Sequence, residues 1–122
     1  MGIDMKFTFP LPPTTNNMYH HTRHGAYKTE EARLWEDEAQ VIILQTKGRK
    51  TLLGDVYVGM EFFLKRDRDV DNMKLLLDCL QDNGIVKNDS QVVHLNIKKF
   101  VDKKNPRVEM EVLASWNIFL KT

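Results

Sequence analysis

Apolar and polar residues alternate with a period of two from Val56 to Leu64, where Val56, Val58, Met60, Phe62 and Leu64 share one face. That period predicts a strand with one buried side. Upstream, Ala32, Trp35, Ala39, Ile42 and Ile43 recur at helical spacing, with Thr29 as the N-cap. This helix should run to about Lys47, with Gly48 as its stop. Downstream, Met73, Leu76, Leu77 and Leu80 form one stripe of a second helix. Asp71, Lys74, Asp78 and Gln81 form another, and Gly84 marks the end. Phe7 to Leu11 reads as a short strand stopped by Pro12-Pro13. The polar segment from Thr14 to Tyr27 reads as a long loop with room for a tight turn. Two more strands are expected, roughly Gln91 to Val101 and Arg107 to Leu113, joined by a turn over Lys103 to Pro106. The order β-α-β-α-β-β predicts an α/β fold of the mixed α+β kind, a mixed sheet packed by two helices. The apolar tail from Ala114 to Leu120 is expected to dock on this domain, with a second subunit as the alternative.

Composition narrows the class. A chain of 122 residues suggests one domain, spanning 1–122. The 42% hydrophobic and 29% charged residues are those of an ordinary globular protein. Cys79 stands alone, so there is no internal disulfide framework, and a reducing compartment fits. No apolar run approaches the roughly 18 residues of a membrane span. The start of the chain has no basic stretch followed by an apolar one, so no signal peptide is expected. These readings point to the cytoplasm and to no membrane partner. Net charge is +1, from 18 basic and 17 acidic residues, which neither demands nor excludes nucleic acid. The bases cluster, however, at Lys47, Arg49 and Lys50, and at Lys98, Lys99, Lys103, Lys104 and Arg107. Each cluster has a plain alternative as a solvated face.

The stretch RDRDVDNMK, 66 to 74, carries the densest chemistry. Asp67, Asp69 and Asp71 sit at alternate positions, so an extended backbone aims them to one side. Two such carboxylates repel and raise each other's pKa unless a cation lies between them. Oxygen-only ligands favour magnesium or manganese over zinc. A pair of aspartates at a strand–helix junction therefore suits metal-assisted phosphodiester hydrolysis. The competing reading makes Asp71 a helix cap and pairs Asp69 with Arg68. Asp89, in KNDSQVV at 87 to 93, is a third candidate ligand. A helix antiparallel to its flanking strands places it at the wrong end, unless the chain doubles back between Ile85 and Asn88. Its alternative is an Asx-turn. Lys74 can neutralise phosphate charge, or pair with Asp78 one turn on. His20, His21 and His24 lack a fourth zinc ligand nearby and read as loop histidines. Cys79 reads as a packed helix residue rather than a nucleophile.

The pieces LPPTTNNMY, YKTEEARLWEDEA, RDVDN and NGIVKNDSQVV occur in one order between about residues 6 and 113. Together they resemble the RusA-type Holliday junction resolvases, small endodeoxyribonucleases often carried by phages and prophages. The resemblance implies a homodimer that cleaves four-way DNA junctions with Mg²⁺, Mn²⁺ being a substitute, in DNA recombination and repair, without a small-molecule cofactor. The family's essential aspartates fall on Asp69, Asp71 and Asp89, as catalytic residues and metal ligands, and its helix lysine most nearly on Lys74. If so, the chain brings Asp89 to the other two. Here Met73 alone separates Asn72 from Lys74, one residue fewer than the family usually has. One missing residue turns a helix by about 100°, which puts the aim of Lys74 in question. Asn88 stands where some relatives carry a further acid.

On this reading Arg66, Arg68, Lys98 and Lys99 contact backbone phosphates. Asn16, Tyr19 and Arg23 reach DNA from the Thr14–Tyr27 loop, and affinity falls steeply with salt. Two subunits would nick opposing strands in pairs and leave ligatable 5′ phosphates. Two other functions are carried alongside. One is a non-catalytic branched-DNA-binding protein, and the other is a protein-interaction module that uses the apolar tail.

Overall fold

The computed structural model describes residues 4–47 and 50–114. Gly48 and the tail beyond Ala114, on which two of the expectations fall, lie outside the described residues. The strands are β1 (Asp4–Phe9), β2 (Tyr19–Thr22), β3 (Gly25–Lys28), β4 (Val56–Leu64), β5 (Val92–Val101) and β6 (Arg107–Ala114). The helices are α1 (Glu30–Lys47) and α2 (Met73–Asp82), with 3₁₀ turns at Thr15–Asn17 and Asp89–Gln91. A four-stranded mixed sheet has the order β1-β6-β4-β5, with β4 and β5 parallel and the other pairs antiparallel. This is the expected α+β architecture, with one addition.

The addition is β2 paired with β3, a separate antiparallel hairpin turning through Arg23 and His24. The polar sequence reads as a loop, and in the structure all eight strand residues are exposed. A strand with no buried face leaves no apolar alternation to read. The turn is closed locally, by the Thr22 hydroxyl donating to the Gly25 carbonyl at 3.1 Å.

One face of the main sheet forms the core. Val56, Val58, Met60, Phe62 and Leu64 of β4 are each at most 1% exposed. Ala32, Trp35, Ala39 and Ile43 of α1 pack over them, with Leu75, Leu76, Cys79 and Leu80 of α2. The expected cap at Thr29 is present, its hydroxyl accepting from the Ala32 N–H at 3.1 Å. The Trp35 indole donates to the Pro10 carbonyl at 2.8 Å, tying α1 to the end of β1. α2 stops at Gly84, whose φ of 74° lies in the region that favours glycine.

The other sheet face is open and carries Lys6, Tyr57, Glu61, Asn96, Lys98, Glu109 and Glu111 around a shallow hollow of about 490 Å³. Gly59 makes room there for the Tyr57 ring, whose hydroxyl would sit 2.8 Å from an added Cβ.

Candidate active site

β4 delivers the chain to the mouth of α2 through residues 65–72, and Lys99, Pro13 and Thr15 tie this connector to the rest of the fold. The Lys99 ammonium lies 3.1 Å from the Asp67 carboxylate and donates to the Arg68 carbonyl at 3.0 Å. The Arg68 guanidinium donates to the Asp69 carbonyl at 3.2 Å, so it engages that residue's backbone and not its carboxylate. The Asn72 amide donates to the Pro13 carbonyl at 2.9 Å. Asn72 is also the α2 N-cap, at φ 61° and ψ 35°, with no side-chain cap bond. Asparagine tolerates that left-handed conformation better than most residues.

Asp71 does not cap α2. Its carboxylate turns to the 3₁₀ turn after Pro13, where the Thr15 N–H donates to Oδ2 at 2.9 Å and the Thr15 hydroxyl donates to Oδ1. These two bonds hold the Asp71 pKa below the ordinary carboxylate value. The hydroxyl contributes most, then the Thr15 N–H, while partial burial opposes them. A carboxylate gripped by two donors is ionised and fixed in orientation. Asp69 is exposed two residues earlier on the same connector.

Lys74 is exposed on the first turn of α2, 3.6 Å from Asp78. It shares a groove of about 210 Å³ with Thr15, Asn72, Tyr19, Lys28 and Asp78. The surface pair with Asp78 and a place beside the Asp71 holder are therefore both real. Lys28 closes the rim, held at 2.8 Å by Glu36 of α1. Asn16 is exposed next to Thr15, while Tyr19 lies on β2 and Arg23 at the hairpin tip. The turn residues and the groove thus share one end of the molecule. Arg66 is exposed at the start of the connector. Strand alternation parts the two adjacent lysines: Lys99 faces the connector and Lys98 the open side of the sheet.

Asp89 is elsewhere. Its N–H donates to the Gln81 side chain at 3.0 Å, beside the last turn of α2. α2 spans ten residues, so about 15 Å of helix separates that end from Asp69 and Asp71. The doubling back between Ile85 and Asn88 does not occur. β5 must start beside the start of β4, because the two strands are parallel with Val56 opposite Val92. The Asp89 turn is nevertheless rigid. Gln91 accepts from the Lys87 and Asn88 N–H groups and donates to the Leu52 and Gly54 carbonyls. Asn88 caps it through the Ser90 N–H. Among the described residues, no three His, Cys, Asp or Glu side chains of one chain converge on a metal-holding point.

Thr15, Gln81 and Gln91 are the site-shaping residues the sequence reading missed. Thr15 lies 56 residues from Asp71, and no local pattern announces such a pairing. Asp69 and Asp71 offer oxygen donors, the kind a hard divalent cation prefers, and Asp71 is held ionised by Thr15.

The sequence pattern of the Endodeoxyribonuclease RusA family matches residues 10–113. The crossover junction endodeoxyribonuclease RusA of Escherichia coli (strain K12) is 29% identical over 113 residues, covering 90% of this chain and 94% of that protein. The protein of the same name from Enterobacteria phage 82 shows the same identity and coverage. That from Escherichia coli O139:H28 (strain E24377A / ETEC) is 27% identical over 108 residues, covering 86% of this chain and 90% of the relative.

Proposed function

The chain belongs to the Endodeoxyribonuclease RusA family and is a junction-resolving nuclease of that kind; we propose that it resolves four-way DNA junctions as a Mg²⁺-dependent homodimer. The observation that carries this reading is the ionised, doubly held Asp71 two residues from Asp69 at the mouth of α2.

Asp69 and Asp71 would hold the cation from one protomer, and the partner subunit's Asp89 would complete the set. Asp89 cannot reach its own chain's pair across the length of α2, whereas a two-fold axis across α2 exchanges the two ends. When bound, the cation lowers the pKa of water and offsets charge on the phosphate under attack. Thr15 keeps Asp71 ionised and aimed. Lys74 balances negative charge as a phosphate enters the groove. Water adds to phosphorus and the bond to the 3′ oxygen breaks, leaving a 5′ phosphate and a 3′ hydroxyl. Arg66, Arg68, Asn16, Tyr19 and Arg23 position the backbone around the site, so binding weakens steeply with salt.

The separation of Asp89 within one chain also favours a second reading, a branched-DNA-binding protein that does not cut. Mixed dimers decide between them. Asp71→Asn and Asp89→Asn are each expected to bind a labelled junction and leave it uncut. Co-refolded together, they form heterodimers with one intact shared site, and single-strand nicking returns with Mg²⁺ and vanishes with EDTA. If the wild type nicks and the mixture does not, the shared site is wrong. If the wild type binds junctions but never cuts them with Mg²⁺ or Mn²⁺, the second reading holds.

A further inference from the structure

Asp69 lies in a stretch, residues 65–70, that belongs to no strand or helix, so neither a ladder nor a helix aims it. The stretch is anchored at its ends. The Leu64 carbonyl accepts from the Asp102 N–H at 2.8 Å, where β4 stops. Asp71 and Asn72 are bonded to Thr15 and Pro13 at the mouth of α2. Between these anchors, the direction of Asp69 is set by the two peptide planes that flank its Cα, because each plane is rigid. Both planes are held. The one before it carries the Arg68 carbonyl, which accepts from the Lys99 ammonium at 3.0 Å. The one after it carries the Asp69 carbonyl, which accepts from the Arg68 guanidinium at 3.2 Å. Of these two donors, Lys99 comes from outside the connector, off β5. Its ammonium also lies 3.1 Å from Asp67, so one group engages two successive residues ahead of Asp69. An ion pair on the surface contributes little to stability, and the Asp67 side chain is 80% exposed. What the contact supplies is a fixed backbone direction.

Resting on the metal reading above, we propose that Lys99 is a positioning residue for the cation site. It holds the Arg68–Asp69 peptide so that Asp69 keeps its direction two residues from Asp71. Asp67 is the counter-ion of Lys99 and not a further ligand. The neighbouring Lys98, on the open side of the sheet, takes no part. This role has a signature that simple electrostatics lacks. Removing a positive charge near two carboxylates should by itself tighten cation binding. Removing a residue that positions a ligand should loosen it, and such outer partners typically contribute about 10–100-fold in metal affinity.

Mn²⁺ binding to the DNA-free protein, followed by EPR, reads that sign without cleavage. Lys99→Met keeps the aliphatic stem and removes both contacts, so its Mn²⁺ dissociation constant should rise about tenfold. Lys99→Arg can still donate to both oxygens and should recover most of the affinity. Lys99→Gln, shorter and uncharged, should weaken binding as Lys99→Met does and guards against a misfolded methionine variant. Junction affinity of Lys99→Met should keep the wild-type salt slope, whereas a lost phosphate contact lowers that slope by about 0.9. Asp69→Asn is the control for the metal reading. Wild-type Mn²⁺ affinity in Asp69→Asn overturns that reading and the role of Lys99 with it. Weakened binding in Asp69→Asn, beside unchanged or tighter binding in both Lys99→Met and Lys99→Gln, overturns the role of Lys99 alone. A lowered salt slope with unchanged Mn²⁺ affinity in Lys99→Met also overturns it, and makes Lys99 a phosphate contact.

Discussion

Thr15→Val removes the hydroxyl that donates to Asp71 while keeping nearly the same volume. The Thr15 N–H, 2.9 Å from Oδ2, remains. A hydrogen bond to a charged group contributes roughly 1.5–3 kcal/mol. Asp71 is half-buried, so water replaces part of what is lost, and about 1–2 kcal/mol is the expected cost. For a chain of this length that lowers Tm by about 3–8 °C. The functional effect should exceed the stability effect, because Asp71 keeps one tether and gains freedom to rotate. Cleavage at limiting Mg²⁺ should fall about tenfold and recover at saturating Mg²⁺. Thr15→Ser should behave as wild type in both respects. Thermal melts without metal measure the first quantity. Junction cleavage across a Mg²⁺ titration, with Mn²⁺ binding followed by EPR, measures the second. A Thr15→Val protein with wild-type melting and wild-type metal dependence would refute the assignment of Thr15 as the holder of Asp71.

The same bond makes stability depend on acid. The folded pKa of Asp71 is lowered from 3.8, so its contribution is full above that value and is lost as pH falls through the folded pKa. The gap in Tm between wild type and Thr15→Val should therefore close under strongly acidic conditions; a gap constant with pH would contradict this origin. Asp102, lowered chiefly by its bond to Arg107, should behave alike, so Arg107→Gln should lose stability near neutral pH and little at the acid end. Trp35→Phe leaves the Pro10 carbonyl without its donor and should lower urea stability by about 1–3 kcal/mol, leaving the Mg²⁺ dependence of cleavage unchanged. Burial pushes the Cys79 thiol up to about 12, so alkylating reagents should reach it only after unfolding; rapid labelling of the native protein at pH 8 would contradict its packing.

Most of the scaffold was legible in the chain because its signals are local. β4 runs over the residues its period-two pattern marked, and α1 begins after the Thr29 cap that the polar-to-apolar switch pointed to. Gly84 ends α2 because one left-handed residue is needed there, and sequence shows a glycine as plainly as structure does. The acidic connector was also visible, since three aspartates two apart need no fold to be noticed. What the residues around it do was not. Whether Asp71 caps α2 or bonds Thr15 depends on where a turn 56 residues away comes to rest. The hairpin of β2 and β3 was silent because it buries nothing. The place of Asp89 was decided by one topological fact, the parallel pairing of β5 with β4. That pairing obliges the chain to return the full length of α2 before β5 begins. Periodicity records which face of an element is dry; it holds no record of which element lies alongside. The separation of Asp89 from Asp69 and Asp71 along α2, and the place of β5 at the border of the sheet, therefore belong to tertiary structure alone.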